Sequence, residues 1–147
     1  MDLNAMASAV AVRFSAAAIT PPSGYTDPGT AIYELPPAIT TTPTAIVFPP
    51  EGVFSYAMFK RSGNVEFPVR WYIAPTEMAR STRALYDWAG VLIEQLETDF
   101  DLNLSPTVTH AVISGFRFGR LEYEGTEYHG IEMAVVVHTE EAFEPTT

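Results

Sequence analysis

The 147-residue chain has no cysteine and only one lysine, Lys60. The lack of cysteine excludes disulfides, thiolate metal sites and cysteine nucleophiles, and suits an intracellular assembly environment. Lysine and arginine together number 8 against 18 carboxylates, a formal net charge of −10. No basic residue lies between Arg13 and Lys60, whereas 94–101 and 122–144 are acidic stretches. Such a chain repels phosphate backbones, so nonspecific or groove binding of nucleic acid is disfavoured unless the few arginines cluster. The apolar run 3–19 follows Asp2 and is broken by Arg13, which argues against a signal peptide, and no membrane span is expected. Catalytic patterns are missing too: there is no glycine-rich phosphate loop, no His-Glu zinc-type helix motif and no nucleophile elbow. No catalytic, cofactor-binding or metal-binding residue is therefore assigned, and no cofactor is expected.

The C-terminal third is the most ordered pattern present. Residues 107–123 and 126–138 read as two strands joined by a two-residue turn at Glu124-Gly125. That turn places Phe118 opposite Ile131, Phe116 opposite Met133, Val112 opposite Val137, Arg117 opposite Glu132 and Gly119 opposite Gly130. Apolar pairs on one face and an ion pair on the other are what cross-strand pairing rewards, at roughly 0.2–1 kcal/mol each. Past the glycine pair the apolar residues change parity, to Leu121, Tyr123 and Tyr128. The tip is expected to bulge there and to turn these side chains away from the parent core, toward another protein chain. Tyr72, which also falls off its strand's core parity, joins them as a candidate subunit-interface residue.

Upstream, Leu3, Met6, Val10, Phe14 and Ala17 recur at helical spacing behind Asp2 or Asn4, predicting an amphipathic helix within 1–19. Residues 20–50 hold eight of the chain's twelve prolines and read as a long extended arm, with a short strand at 45–48. Val65, Phe67, Val69, Trp71 and Ile73 alternate with polar residues as a half-buried strand. A turn at Ser62-Gly63 makes 51–74 a hairpin in which Met58 meets Phe67, Tyr56 meets Val69 and Phe54 meets Trp71. Its tip then carries Lys60, Arg61 and Asn64, the densest basic spot and a candidate contact with a partner. Pro68 is expected at an edge or a non-bonded position. The aromatics Phe54, Tyr56, Phe67, Trp71 and Tyr72 read first as core. A second helix over 76–98 carries the stripe Leu85, Trp88, Ala89, Leu92 and Leu96. Arg80 and Arg83 near its start and Glu94 and Glu97 near its end oppose the helix dipole.

The predicted fold is α+β, one domain over 1–147, with an antiparallel or mixed sheet built from two hairpins (51–74 and 107–139), packed with two amphipathic helices and the Pro-rich arm. The three histidines lie on the C-terminal hairpin. The predicted register puts His138 opposite Ala111, so His110 and His138 point to opposite faces, while His129 faces Arg120. A metal site needs convergence and is not expected. Glu122 and Glu127 fall opposite each other and read as solvated carboxylates, not as an acid–base pair.

In outline these elements resemble a known family. The helix, the Pro-rich arm, Ile46-Val47-Phe48-Pro49-Pro50, the segment 67–72 (Phe67-Pro68-Val69-Arg70-Trp71-Tyr72), the helix carrying Ala84-Leu85-Tyr86-Asp87-Trp88 and the hairpin from Tyr123-Glu124-Gly125 to Gly130-Ile131-Glu132 are similar to small tail-completion proteins of long-tailed bacteriophages, especially the tail terminators of phages of actinobacteria. The resemblance spans about Ile46 to His138. It implies a non-enzymatic virion protein, assembled in the host cytoplasm and placed at the head–tail junction. Its copies would form a homohexameric ring that caps the tail tube and meets a head completion or connector protein, with DNA only passing through the channel. Rival readings are another phage neck or head–tail connector protein and, from a different class, a small ligand-binding domain or cryptic enzyme.

Overall fold

The computed structural model describes residues 1–14, 30–39, 43–75, 82–97, 102, 104 and 107–142. Among them are two helices, α1 (Leu3–Arg13) and α2 (Thr82–Glu97). Six strands accompany them: β1 (Thr30–Ile32), β2 (Thr44–Val47), β3 (Glu51–Ala57), β4 (Lys60–Pro75), β5 (Val108–Tyr123) and β6 (Thr126–Ala142). They build the expected α+β fold around one mixed sheet, ordered β1-β2-β4-β6-β5, with β3 also paired to β4. Among the described strands only the β1–β2 pair is parallel.

Alternation decides the first layer. The odd-numbered residues Val65, Phe67, Val69, Trp71 and Ile73 of β4 and Ile131, Met133, Val135 and Val137 of β6 are buried on one face, beneath both helices. Asp2 caps α1, its Oδ1 accepting from the Ala5 amide at 3.0 Å, and satisfies one of the amides a helix start leaves unpaired. Met6, Val10 and Phe14 are buried as their spacing predicts, but Leu3 is exposed, and the helix ends before the prolines. Ala17 lies outside the described residues. On α2, Trp88, Ala89 and Leu92 are buried; the side chains of Arg80, Arg83, Leu85, Leu96 and Glu97 lie outside the description. Trp71 joins the layers, its ring 6.2 Å from Phe14 and 5.5 Å from Trp88 between centroids.

The C-terminal hairpin turns at Glu124-Gly125, both with positive φ (49° and 83°). Its predicted pairs hold from Tyr123↔Thr126 to Phe116↔Met133. No bulge forms at the Gly119–Gly130 pair. The irregularity comes later, between Ile113 and Gly115, where Ser114 is the extra residue; beyond it Val112 pairs with Val136, not Val137, and His110 with His138. A single inserted residue shifts the pairs from Ile113 to His110 by one, and a second irregularity between His110 and Val108 shifts the register again, to Val108↔Thr139.

The register of the other hairpin differs from the prediction. The turn is Met58-Phe59, and the pairs are Ala57↔Lys60, Tyr56↔Arg61 and Phe54↔Gly63. Gly63 is not a turn residue. A Cβ there would lie 2.3 Å from the Val53 carbonyl oxygen and 2.6 Å from Phe54 Cδ1, so glycine serves close strand contact. β4 therefore runs straight through Ser62-Gly63 for 16 residues, and all seven residues of β3 are exposed. Pro68 sits in this central strand, at the break between β2 and β3 along one edge of β4. Its carbonyl accepts from the Phe48 amide at 2.8 Å. Because the N–H and C=O of a strand residue point to the same side, the missing donor faces the break and leaves the β6 ladder intact.

Candidate assembly surfaces

The proposed interface tyrosines are internal. Ile46, Tyr72, Leu121, Tyr123 and Tyr128 form a second buried cluster on the sheet face opposite the helices, with Ile32, Ile39 and Phe48 packed against it. Tyr72 is wholly buried, its ring 5.7 Å from Tyr123 and 5.3 Å from Tyr128, both edge-on. The Tyr123 hydroxyl donates to the Pro36 carbonyl. Burial raises the hydroxyl pKa of both Tyr72 and Tyr123; at Tyr72, Arg70 opposes the shift. The parity change in the sequence thus marks a second apolar face, as predicted, but the chain's own arm covers it. The described part of the arm, 30–39 and 43–50, lies on its own sheet through β1, β2 and these contacts.

The basic spot stays beside the tip: Lys60 closes the Met58-Phe59 turn opposite Ala57 and Arg61 follows it, while Asn64 lies further along β4. Lys60 pairs with Glu140, and Arg61 with Glu141, which also lies 3.3 Å from the chain's terminal amine. Asn64 is opposite His138. Both cations are therefore neutralised by the acidic end of β6, a link that the mistaken turn concealed.

Further along the same face, beyond the arm, the predicted Arg117–Glu132 pair is present and extends to a third residue. Glu132 accepts from Arg117 Nε at 3.0 Å and from Arg70 Nε at 2.7 Å. The Arg117 hydrogen bond, with a second from Arg70, holds the Glu132 carboxyl below its ordinary range despite burial, which acts to raise it. The triad ties β4, β6 and β5 side by side.

What the sequence reading missed is the hairpin formed by β3 and the start of β4. Met58 is 84 % exposed, Val53 75 % and Tyr56 67 %, with Phe54 and Phe59 also open. The core assignment of Phe54 and Tyr56 is thereby corrected. Arg61 lies over the Phe54 ring at 5.3 Å. Phe59 has φ 59°, a left-handed conformation that costs a residue with a Cβ roughly 1–2 kcal/mol. A detectable signal was available: read with its turn at Met58-Phe59, the hairpin sets a full row of apolar residues on a strand with no buried partner.

The histidine geometry is likewise corrected. The Ser114 bulge brings His110 opposite His138, and the rings stack with centroids 3.9 Å apart and planes at 28°. Burial, and then His110, lower the His138 pKa. His129 faces Arg120, and Glu122 faces Glu127, as predicted. Among the described residues no group of three or more His, Cys, Asp or Glu side chains is placed to hold a metal. No helix among them is long and apolar enough to cross a membrane. No family model matches the chain, and no curated protein matches it.

Proposed function

We propose that this protein is a structural component of a phage virion, a tail terminator whose copies close into a ring on the end of the tail tube and join it to a head-completion or connector protein. The observation that carries the reading is the β3–β4 hairpin. It presents Val53, Phe54, Tyr56, Met58 and Phe59 to solvent and places Phe59 in a backbone conformation that disfavours it. A turn selected for monomer stability would favour glycine or asparagine at that φ. Large apolar side chains held at such a cost are the signature of a contact surface. In this reading the subunit contact moves from the buried tyrosines to the hairpin. A closed ring uses heterologous contacts, so the hairpin meets a different patch on the next copy. The far edge strand β5 offers exposed apolar side chains for this contact, Phe116 on the helix-bearing face and Val112 on the opposite one. The surplus of carboxylates would keep transiting DNA from adhering to the channel wall.

The test is mass by light scattering across concentration, followed by negative-stain imaging, with purified tail tubes added to any species that stays monomeric. A six-membered ring, alone or on tube ends, is expected. A ring that ignores tubes but binds head-completion proteins would assign the chain to the neck instead. A monomer indifferent to both would overturn the reading.

A further inference from the structure

We propose that His110 and His138 form a two-imidazole site for a divalent late-transition-metal ion, on the sheet face opposite the helices at the base of the exposed hairpin. Three features of the structure support it. The residues are direct cross-strand partners on β5 and β6, so two sheet backbones fix their separation and little ordering is needed when an ion binds. Their ring centroids lie 3.9 Å apart, so the imidazoles are already neighbours, and rotating the rings out of the stack about their side-chain torsions would turn one nitrogen of each toward a shared ion. They also line a depression of about 360 Å³ together with Asn64 and Glu140, leaving room for water in the remaining coordination positions.

Imidazole nitrogen suits Zn²⁺, Ni²⁺ and Cu²⁺, with Cu²⁺ bound most tightly of the three. Two protein ligands make an open site of moderate affinity, unlike a closed structural one. Glu140, at present paired with Lys60, adds a carboxylate to the same depression, and the surplus negative charge of the chain raises the local concentration of cations. The Ser114 bulge is what creates the site. Without it the register would put His138 opposite Ala111 and send the two imidazoles to opposite faces. A bound ion would clip β5 to β6 and raise thermal stability by mass action.

The experiment uses the full chain without a histidine tag. Cu²⁺ and Zn²⁺ are titrated by calorimetry, and the Cu²⁺ complex is examined by electron paramagnetic resonance. One ion per chain is expected, with hyperfine structure from two nitrogens and a rise in melting temperature. His110→Ala and His138→Ala should each weaken binding at least tenfold, comparable to or beyond the roughly 10–100-fold cost of losing a supporting partner at a metal site. His129→Ala should leave binding unchanged, and circular dichroism of each variant establishes that it folds. Failure to bind either ion, or binding lost only with His129→Ala, would overturn the proposal, as would a wild-type copper spectrum in the His110 variant.

Discussion

The hydroxyl of Tyr123, on β5, donates to the backbone carbonyl of Pro36, in the arm. This contact fastens the Pro-rich segment over a sheet face that would otherwise expose Leu121, Tyr72 and Tyr128. Tyr123→Phe keeps the ring and removes the donor. It should cost about 1 kcal/mol and speed amide hydrogen exchange in 31–39 before any other segment. Unchanged exchange there would mean that apolar packing alone holds the arm.

Serine at these positions acts differently. From the sequence, Tyr123→Ser and Tyr128→Ser would spare the monomer and weaken assembly. With both rings packed against Tyr72, each replacement removes a buried aromatic, a change of the size that costs about 3–5 kcal/mol. Urea denaturation of the two variants should show losses of that order. A loss under about 0.5 kcal/mol would return the tyrosines to the surface.

The glycine pair of the C-terminal hairpin is unequal. A Cβ on Gly130 would lie 2.3 Å from the Trp71 carbonyl oxygen and 2.7 Å from Leu121 Cδ1, whereas one on Gly119 meets nothing within 4 Å. Gly130→Ala should therefore destabilise by about 1–3 kcal/mol through overpacking against backbone. Gly119→Ala should be neutral or stabilise by about 0.4–1 kcal/mol, because it restricts the unfolded chain. Melting temperatures that fall equally in the two variants would contradict this.

Glu132 gives a pH dependence with a defined sign. Its folded-state pKa is lowered, first by the Arg117 hydrogen bond and then by Arg70. The stabilisation is thus fully present above the ordinary carboxylate range and is lost as pH falls through the lowered value. Arg117 is largely exposed, so screening limits the contribution to about 1 kcal/mol. Glu132→Gln should be less stable than wild type at pH 7, and the gap in urea midpoints should close toward pH 3. A constant gap would assign the loss to packing.

The parts of the fold legible in the sequence were those governed by short periods. Val65 to Ile73 on β4, the Glu124-Gly125 turn and the Met6–Val10–Phe14 stripe were each set by neighbours two to four residues apart. The misreadings came from long-range demands on small residues. Ser62-Gly63 has turn chemistry, yet Gly63 is there because β3 packs against it. Ser114 carries no local mark of a bulge, yet it decides which face His110 occupies. The buried tyrosines looked unpartnered because the arm that covers them is remote in sequence, with Pro36 and Tyr123 separated by 87 residues, and has no periodicity of its own.

The hairpin tip separates monomer stability from assembly. Phe59 adopts φ 59° and is half exposed. Phe59→Gly removes the backbone strain and should stabilise the monomer by about 1 kcal/mol. It also deletes an apolar ring from the proposed contact, as Met58→Ser deletes its neighbour. Met58→Ser should change monomer stability by less than about 0.5 kcal/mol, since an exposed side chain contributes little to folding. Both variants should assemble less well, alone or on tail tubes, so Phe59→Gly would melt higher as a monomer while forming fewer rings. A variant that is more stable and assembles as wild type would show that the tip bears no contact, and the hairpin would cease to support the terminator reading.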